Sequence, residues 1–127
     1  MMSREIVSTD KAPKAIGPYS QAIKANGFVF CSGQIPFNPE TEKMVTGSIT
    51  DQTKQVLANL QQVLIEAGST LEKVVKVTVF LKNMDDFNEM NEEYAKWFKD
   101  NPPARAAVEV ARLPKDVDIE VQLIALA

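Results

Sequence analysis

The stretch KVVKVTVFL, residues 73–81, constrains the fold of this chain more than any other. Such a nearly continuous apolar run suits a strand buried on both faces. Helical periodicity flanks it on either side. Upstream, Ile49, Val56, Leu57, Leu60, Val63, Leu64 and Ala67 share one face at helical spacing over 49–67. Ser48, with Asp51 three residues on, gives a capping-box-like start, and Gly68 a C-terminal stop. Downstream, Phe87, Met90, Tyr94, Trp97 and Phe98 make the apolar stripe of a second helix over 84–99. Asn83 or Asp85 starts it, and Pro102-Pro103 ends it. Right-handed crossovers leave both helices on the same side of one sheet.

The remaining strands are shorter. Residues 4–7 form one; 20–25 and 28–33 flank Asn26-Gly27, a strong two-residue hairpin signal. Two prolines and several turn formers make 34–47 a loop. The chain closes with strands over 105–111 and 118–126, joined through LPKDVD. The order is β-β-β-α-β-α-β-β: an α+β domain, residues 1–127, with two helices on one face of a mixed sheet. The free face, with the 73–81 strand in it, is apolar enough to predict a homo-oligomer with sheet faces packed inside.

Composition removes whole classes of chemistry. The chain has no histidine, which excludes Ser-His-Asp and Cys-His nucleophile systems and histidine metal sites. A net charge of −3 without any run of Lys or Arg argues against a general nucleic-acid binder. A single cysteine makes no internal disulfide and fits a reducing compartment. The N-terminus has no apolar h-region and no stretch nears the ~18 apolar residues of a membrane span, so the expected location is the cytoplasm.

Arg105 heads the candidate residues. In PPARAAVEVARLP (102–114), Arg105, Ala107, Glu109 and Ala111 share one strand face, and Ala106, Val108 and Val110 the other. Glu109 is a strained salt-bridge partner, since four strand residues span roughly 13 Å. A guanidinium flanked by alanines leaves room for a bidentate carboxylate. Glu120 shares a face with Gln122 and Ile124; partly buried, it becomes a usable acid, base or water holder. A hairpin near residue 115 pairs Arg105 with about residue 125, leaving Glu120 some 17 Å along the sheet. A site using both then forms between subunits. In IGPYSQ (16–21) and CSGQIP (31–36), Ser32 and the Gly33 amide can hold a small anion or a water, and Tyr19 can cap the pocket, against a bland reading as turn residues and a core tyrosine. Cys31 reads as core, Lys76 as a strand lysine reaching water, and the acidic residues 85–93 as a solvated helix face.

Taken together, AIGPYSQA (15–22), SGQIP (32–36), VVKVTVFL (74–81), FNEMNEEY (87–94) and PARAAVEVARLPKDVDIEV (103–121) resemble the Rid (YjgF) family of reactive intermediate imine/enamine deaminases. The match runs from about residue 5 to the C-terminus. The resemblance implies a chorismate-mutase-like fold and a homotrimer with three sites between subunits. It also implies hydrolysis of 2-iminobutanoate and 2-iminopropanoate, products of pyridoxal-phosphate dehydratases, to 2-oxo acids and ammonia, a form of metabolite damage control. Arg105 then clamps the substrate carboxylate and Glu120 positions water or relays a proton. Tyr19, Ser32 and Gly33 line the pocket, with Asn88 near them, and Ala107 offers its backbone. Many members carry serine and cysteine where this chain has Ala106 and Ala107, which puts any role for a thiol in doubt and leaves more room. The chemistry needs no cofactor and no metal, because an iminium carbon is already electrophilic.

Two readings compete with the deaminase. One is a regulatory protein that binds 2-oxo acids without turnover through the same Arg105. The other is ribonuclease or translation inhibition, attributed to some family members and weakest for an acidic chain without histidine or a basic patch.

Overall fold

The computed structural model describes residues 3–127. The chain opens as an antiparallel meander of β1 (Glu5–Val7), β2 (Ala22–Ala25) and β3 (Phe28–Gln34). Asn26 and Gly27 connect β2 to β3 with φ of 54° and 84°, the left-handed pair that a two-residue hairpin turn requires. Residues 34–47, expected as a loop, contain a small hairpin instead: β4 (Phe37–Asn38) pairs with β5 (Lys43–Met44). Its turn is closed by the Asn38 side chain, which accepts from the backbone N–H groups of Glu40 and Thr41. Two-residue strands carry too little alternation to show in the sequence.

The helix α1 (Ile49–Glu66) begins at the expected cap, where Ser48 Oγ accepts from the Asp51 backbone N–H at 3.1 Å. Strand β6 (Val74–Leu81) follows. A 3₁₀ turn over Met84–Asp86, capped by Asn83, leads into α2 (Phe87–Trp97). Strand β7 (Ala104–Glu109) and strand β8 (Ile119–Leu126) complete the chain.

The six long strands lie in the order β1-β2-β3-β8-β6-β7. Only β6 and β7 are parallel; the other neighbours are antiparallel. This corrects one expectation. β7 and β8 do not form a hairpin, because β6 lies between them, and Arg105 is registered with Val77 rather than with a residue near 125. Each strand-helix-strand unit gives a parallel crossover that a tight turn cannot make, and β8 fills the space left between β3 and β6.

Both helices pack on one face of the sheet. Val56, Leu57, Leu60, Val63 and Leu64 of α1 are fully buried against Val77, Val79 and Leu81 of β6 and Ile119, Val121 and Ala125 of β8. Burying each such side chain stabilises the fold by about 1.5–3 kcal/mol. The other face is apolar but uncovered in one chain: Phe28, Phe30, Val108 and Leu126 are exposed, and Thr78 and Phe80 half-buried. The two-sided burial expected for 73–81 therefore holds on the helix side alone within one chain.

Candidate functional site

Arg105 sits on β7, the edge strand of the sheet. Its register with Val77, a core residue, turns it to the helix side, as Ala107 is turned beside Val79. There α2 supplies Phe87, Asn91 and Tyr94, which the i, i+4, i+7 spacing stacks on one helix face. Arg105 Nη1 donates to Asn91 Oδ1 at 2.7 Å. Its Cζ lies 4.7 Å from the Tyr94 ring centroid and 5.4 Å from that of Phe87. Glu109 is not its partner; that carboxylate accepts from the Met84 backbone N–H at 2.8 Å. Among the described residues the ion pairs are Lys96–Glu93 and Arg112–Asp116, so the Arg105 charge is held without a carboxylate. The Tyr94 hydroxyl is buried beside it with no hydrogen-bond partner among the described residues. Burial pushes that phenol's pKa up, and the positive charge of Arg105 offsets part of the rise.

The residue meeting Arg105 is Asn91, which the sequence reading missed. Asn88, one turn earlier, is exposed. The available signal was a polar residue set between Phe87 and Tyr94 in an otherwise apolar stripe. Those two rings also serve more than the core.

Glu120 points the other way. On β8, Ile119, Val121, Leu123 and Ala125 are buried under the helices, which leaves Glu120, opposite Phe80, on the open face. The β3–β8 register shifts between Cys31 and Gln34, a bulge that brings Gly33 against it. Gly33 leaves room for that side chain: a Cβ would fall 2.9 Å from Glu120 Cδ and closer still to Oε2, so the carboxylate would have to move. Burial raises the Glu120 pKa from its ordinary value. Ser32 is tied down, its Oγ donating to the Ser20 carbonyl at 2.6 Å and its N–H to the Gln21 carbonyl at 2.9 Å. This tether holds the segment carrying Tyr19, which is 53% exposed and thus no core tyrosine.

Two groups result, Arg105–Asn91–Tyr94–Phe87 on the helix face and Glu120 with Gly33 on the open face, Ser32 preceding Gly33 and tethered to the segment that carries Tyr19. The sheet separates them. One chain cannot aim both at a single small molecule. Cys31 is buried between the sheet and α1, and desolvation pushes its thiol up to about 12, so it stays a thiol at neutral pH. Lys76 is exposed. A cleft of about 450 Å³ at the C-terminal end of α2, lined by Trp97, Lys96 and Lys99, holds neither cluster.

Comparison with known proteins gives these clusters a context. The family model described as Endoribonuclease L-PSP matches residues 9–127. A RutC family protein of Pyrococcus abyssi is 56% identical over 124 residues, covering 98% of each chain. The human 2-iminobutanoate/2-iminopropanoate deaminase is 46% identical, with 97% of this chain and 90% of the human one covered. Among solved structures, yeast Mmf1 superposes with a TM-score of 0.95 at 48% identity, covering 98% of both chains. E. coli TdcF with bound serine gives 0.92 at 39% identity, covering 97% of this chain and 98% of that one. The chain belongs to the endoribonuclease L-PSP family, the Rid (YjgF) proteins.

Proposed function

We propose that this protein is a cofactor-independent hydrolase of 2-imino acids, converting 2-iminobutanoate and 2-iminopropanoate to 2-oxo acids and ammonia. It works as a homotrimer, each site lying between subunits and joining Arg105 of one copy to Glu120, Gly33, Ser32 and Tyr19 of the next. The apolar open face supports such burial against a second copy. The names of the human and Arabidopsis deaminase relatives, 46% and 49% identical, support the reaction. Serine bound to E. coli TdcF supports a small carboxylate-bearing ligand.

In the reaction, water adds to the imine carbon, one of its protons reaching nitrogen through a base, while the second stays on the new hydroxyl and follows to nitrogen as the amine leaves. The resulting carbinolamine expels ammonia and leaves the 2-oxo acid. Arg105 binds and orients the carboxylate. Ionised Glu120 takes the proton of the attacking water and returns it to the leaving nitrogen. The observation that carries turnover over mere binding is Glu120: a half-buried carboxyl of raised proton affinity against a bulge is suited to proton transfer. A sensor of 2-oxo acids needs Arg105 but no such group.

The test is a coupled assay in which a serine or threonine dehydratase generates the enamine while semicarbazide traps the imine. Wild-type protein is expected to suppress semicarbazone formation and Arg105→Ala to lose that effect. Failure of the wild type with both substrates overturns the deaminase reading.

A further inference from the structure

The feature that the proposed reaction leaves unexplained is how Arg105 keeps its charge available while being held so firmly. An acid within reach can pair with an arginine, as Asp116 does with Arg112 in the loop after β7 at 2.7 and 3.2 Å. Helix α2 could supply one, since it carries Glu89, Glu92 and Glu93. Two of these are engaged elsewhere: Glu89 accepts from Thr50 Oγ1, and Glu93 from Trp97 Nε1 with Lys96 Nζ at 3.4 Å. The position that faces the guanidinium is instead a neutral amide, Asn91.

We propose that Asn91 is a positioning residue for Arg105, fixing the guanidinium through its amide oxygen while leaving the positive charge uncompensated for the substrate carboxylate. This inference rests on the reading of Arg105 as a carboxylate ligand and adds to it what orients that ligand. The amide oxygen accepts one N–H of Nη1 and carries no net charge. The Tyr94 and Phe87 rings restrain the guanidinium by cation–π contact, again without neutralising it. A guanidinium has five N–H donors in a rigid fork, so one can be spent on Asn91 while others stay free for a bidentate partner. An aspartate in the same place would match the shape and close an internal ion pair. The chain thus has the geometry of a half-buried salt bridge with the acid left out.

Isosteric replacement of Asn91 separates charge from shape. Binding of 2-oxobutanoate and of its neutral analogue 2-oxobutanamide is measured by calorimetry on the intact oligomer. The proteins compared are wild type, Asn91→Asp, Asn91→Ala and Arg105→Ala. Asn91→Asp is expected to weaken 2-oxobutanoate by about tenfold or more, because the new carboxylate competes for the same charge. Its affinity for the amide should change by no more than about twofold, and its Tm should hold or rise with the added ion pair. Asn91→Ala, which frees the guanidinium without neutralising it, is expected to fall between wild type and Asn91→Asp. Equal loss of both ligands with a lowered Tm would mark a structural residue and overturn the proposal. So would wild-type affinity for 2-oxobutanoate in Asn91→Asp. If Arg105→Ala itself binds 2-oxobutanoate normally, the reading of Arg105 fails, and the role of Asn91 with it; loss in Arg105→Ala alone condemns only Asn91.

Discussion

The two faces of one sheet carry groups of opposite charge, and they are prepared in opposite ways. On the helix face Arg105 is permanently charged and held by an amide and two rings, none of which neutralises it. On the open face Glu120 titrates, because burial against the Gly33 bulge raises its proton affinity. The first arrangement suits binding, since nothing need change when a carboxylate arrives. The second suits chemistry, since a carboxyl poised nearer neutral pH both takes and returns a proton. Substitutions on the two faces should therefore separate KM from kcat.

The largest effect is expected at Glu120. Glu120→Gln keeps the shape and removes the base, so kcat should fall by about 10²–10⁴-fold with little change in KM. Arg105→Ala should lower kcat/KM on the order of a hundredfold, carried mainly by KM. Equal KM and kcat effects in both variants would break the contrast between the faces. Gly33→Ala comes next. Its Cβ must push the Glu120 carboxylate aside; because that side chain can move, the Tm should fall little, and the effect is read as a reduced kcat from the displaced carboxylate.

The pH dependence sharpens the same contrast. Folding raises the Glu120 pKa, so the protonated form is favoured by the fold and the ionised form carries a stability penalty. That penalty is present above the raised folded pKa and disappears as pH falls below the unfolded value. Glu120→Gln should therefore be at least as stable as wild type at neutral pH, and the gap should close on acidification. Activity runs the other way, with kcat declining as pH drops through the raised pKa. A Glu120→Gln protein less stable than wild type at neutral pH would contradict this. The smallest effect belongs to Arg112, whose exposed pair with Asp116 lies seven residues beyond Arg105. Arg112→Ala should leave kcat, KM and Tm unchanged within error, because surface ion pairs contribute little.

Much of this architecture was legible in the sequence where the signal is local. The α1 stripe and its Ser48 cap and the Asn26-Gly27 turn each encode one element, and each occurs as read; β8 alternates more cleanly in the fold than its weak sequence pattern suggests. Pairing across the sheet was not legible. β7 and β8 are consecutive in sequence yet separated by β6, since the order of strands depends on which crossovers close around the shared core. The candidate residues stood out by type, a lone arginine among alanines and a lone carboxylate on an apolar strand. Their opposite facing did not, because strand parity says only which residues share a face, not which face the helices cover. Asn91 was hidden for a related reason: its neighbours read as core, and only the position of Arg105 reveals that their rings have a second use.

The central claim, that a working site joins Arg105 of one copy to Glu120 of another, is most directly tested by complementation. Arg105→Ala and Glu120→Gln, each strongly impaired alone at substrate concentrations below KM, are co-expressed and purified as mixed oligomers, and imine hydrolysis is measured under those conditions. In a ring of three, some interfaces then unite an intact Arg105 with an intact Glu120, and roughly a quarter of the sites are whole if the chains mix at random. Recovery of activity on that order is the predicted result. Mixed oligomers as inactive as either parent would contradict the account, for they would mean that both residues must come from the same chain.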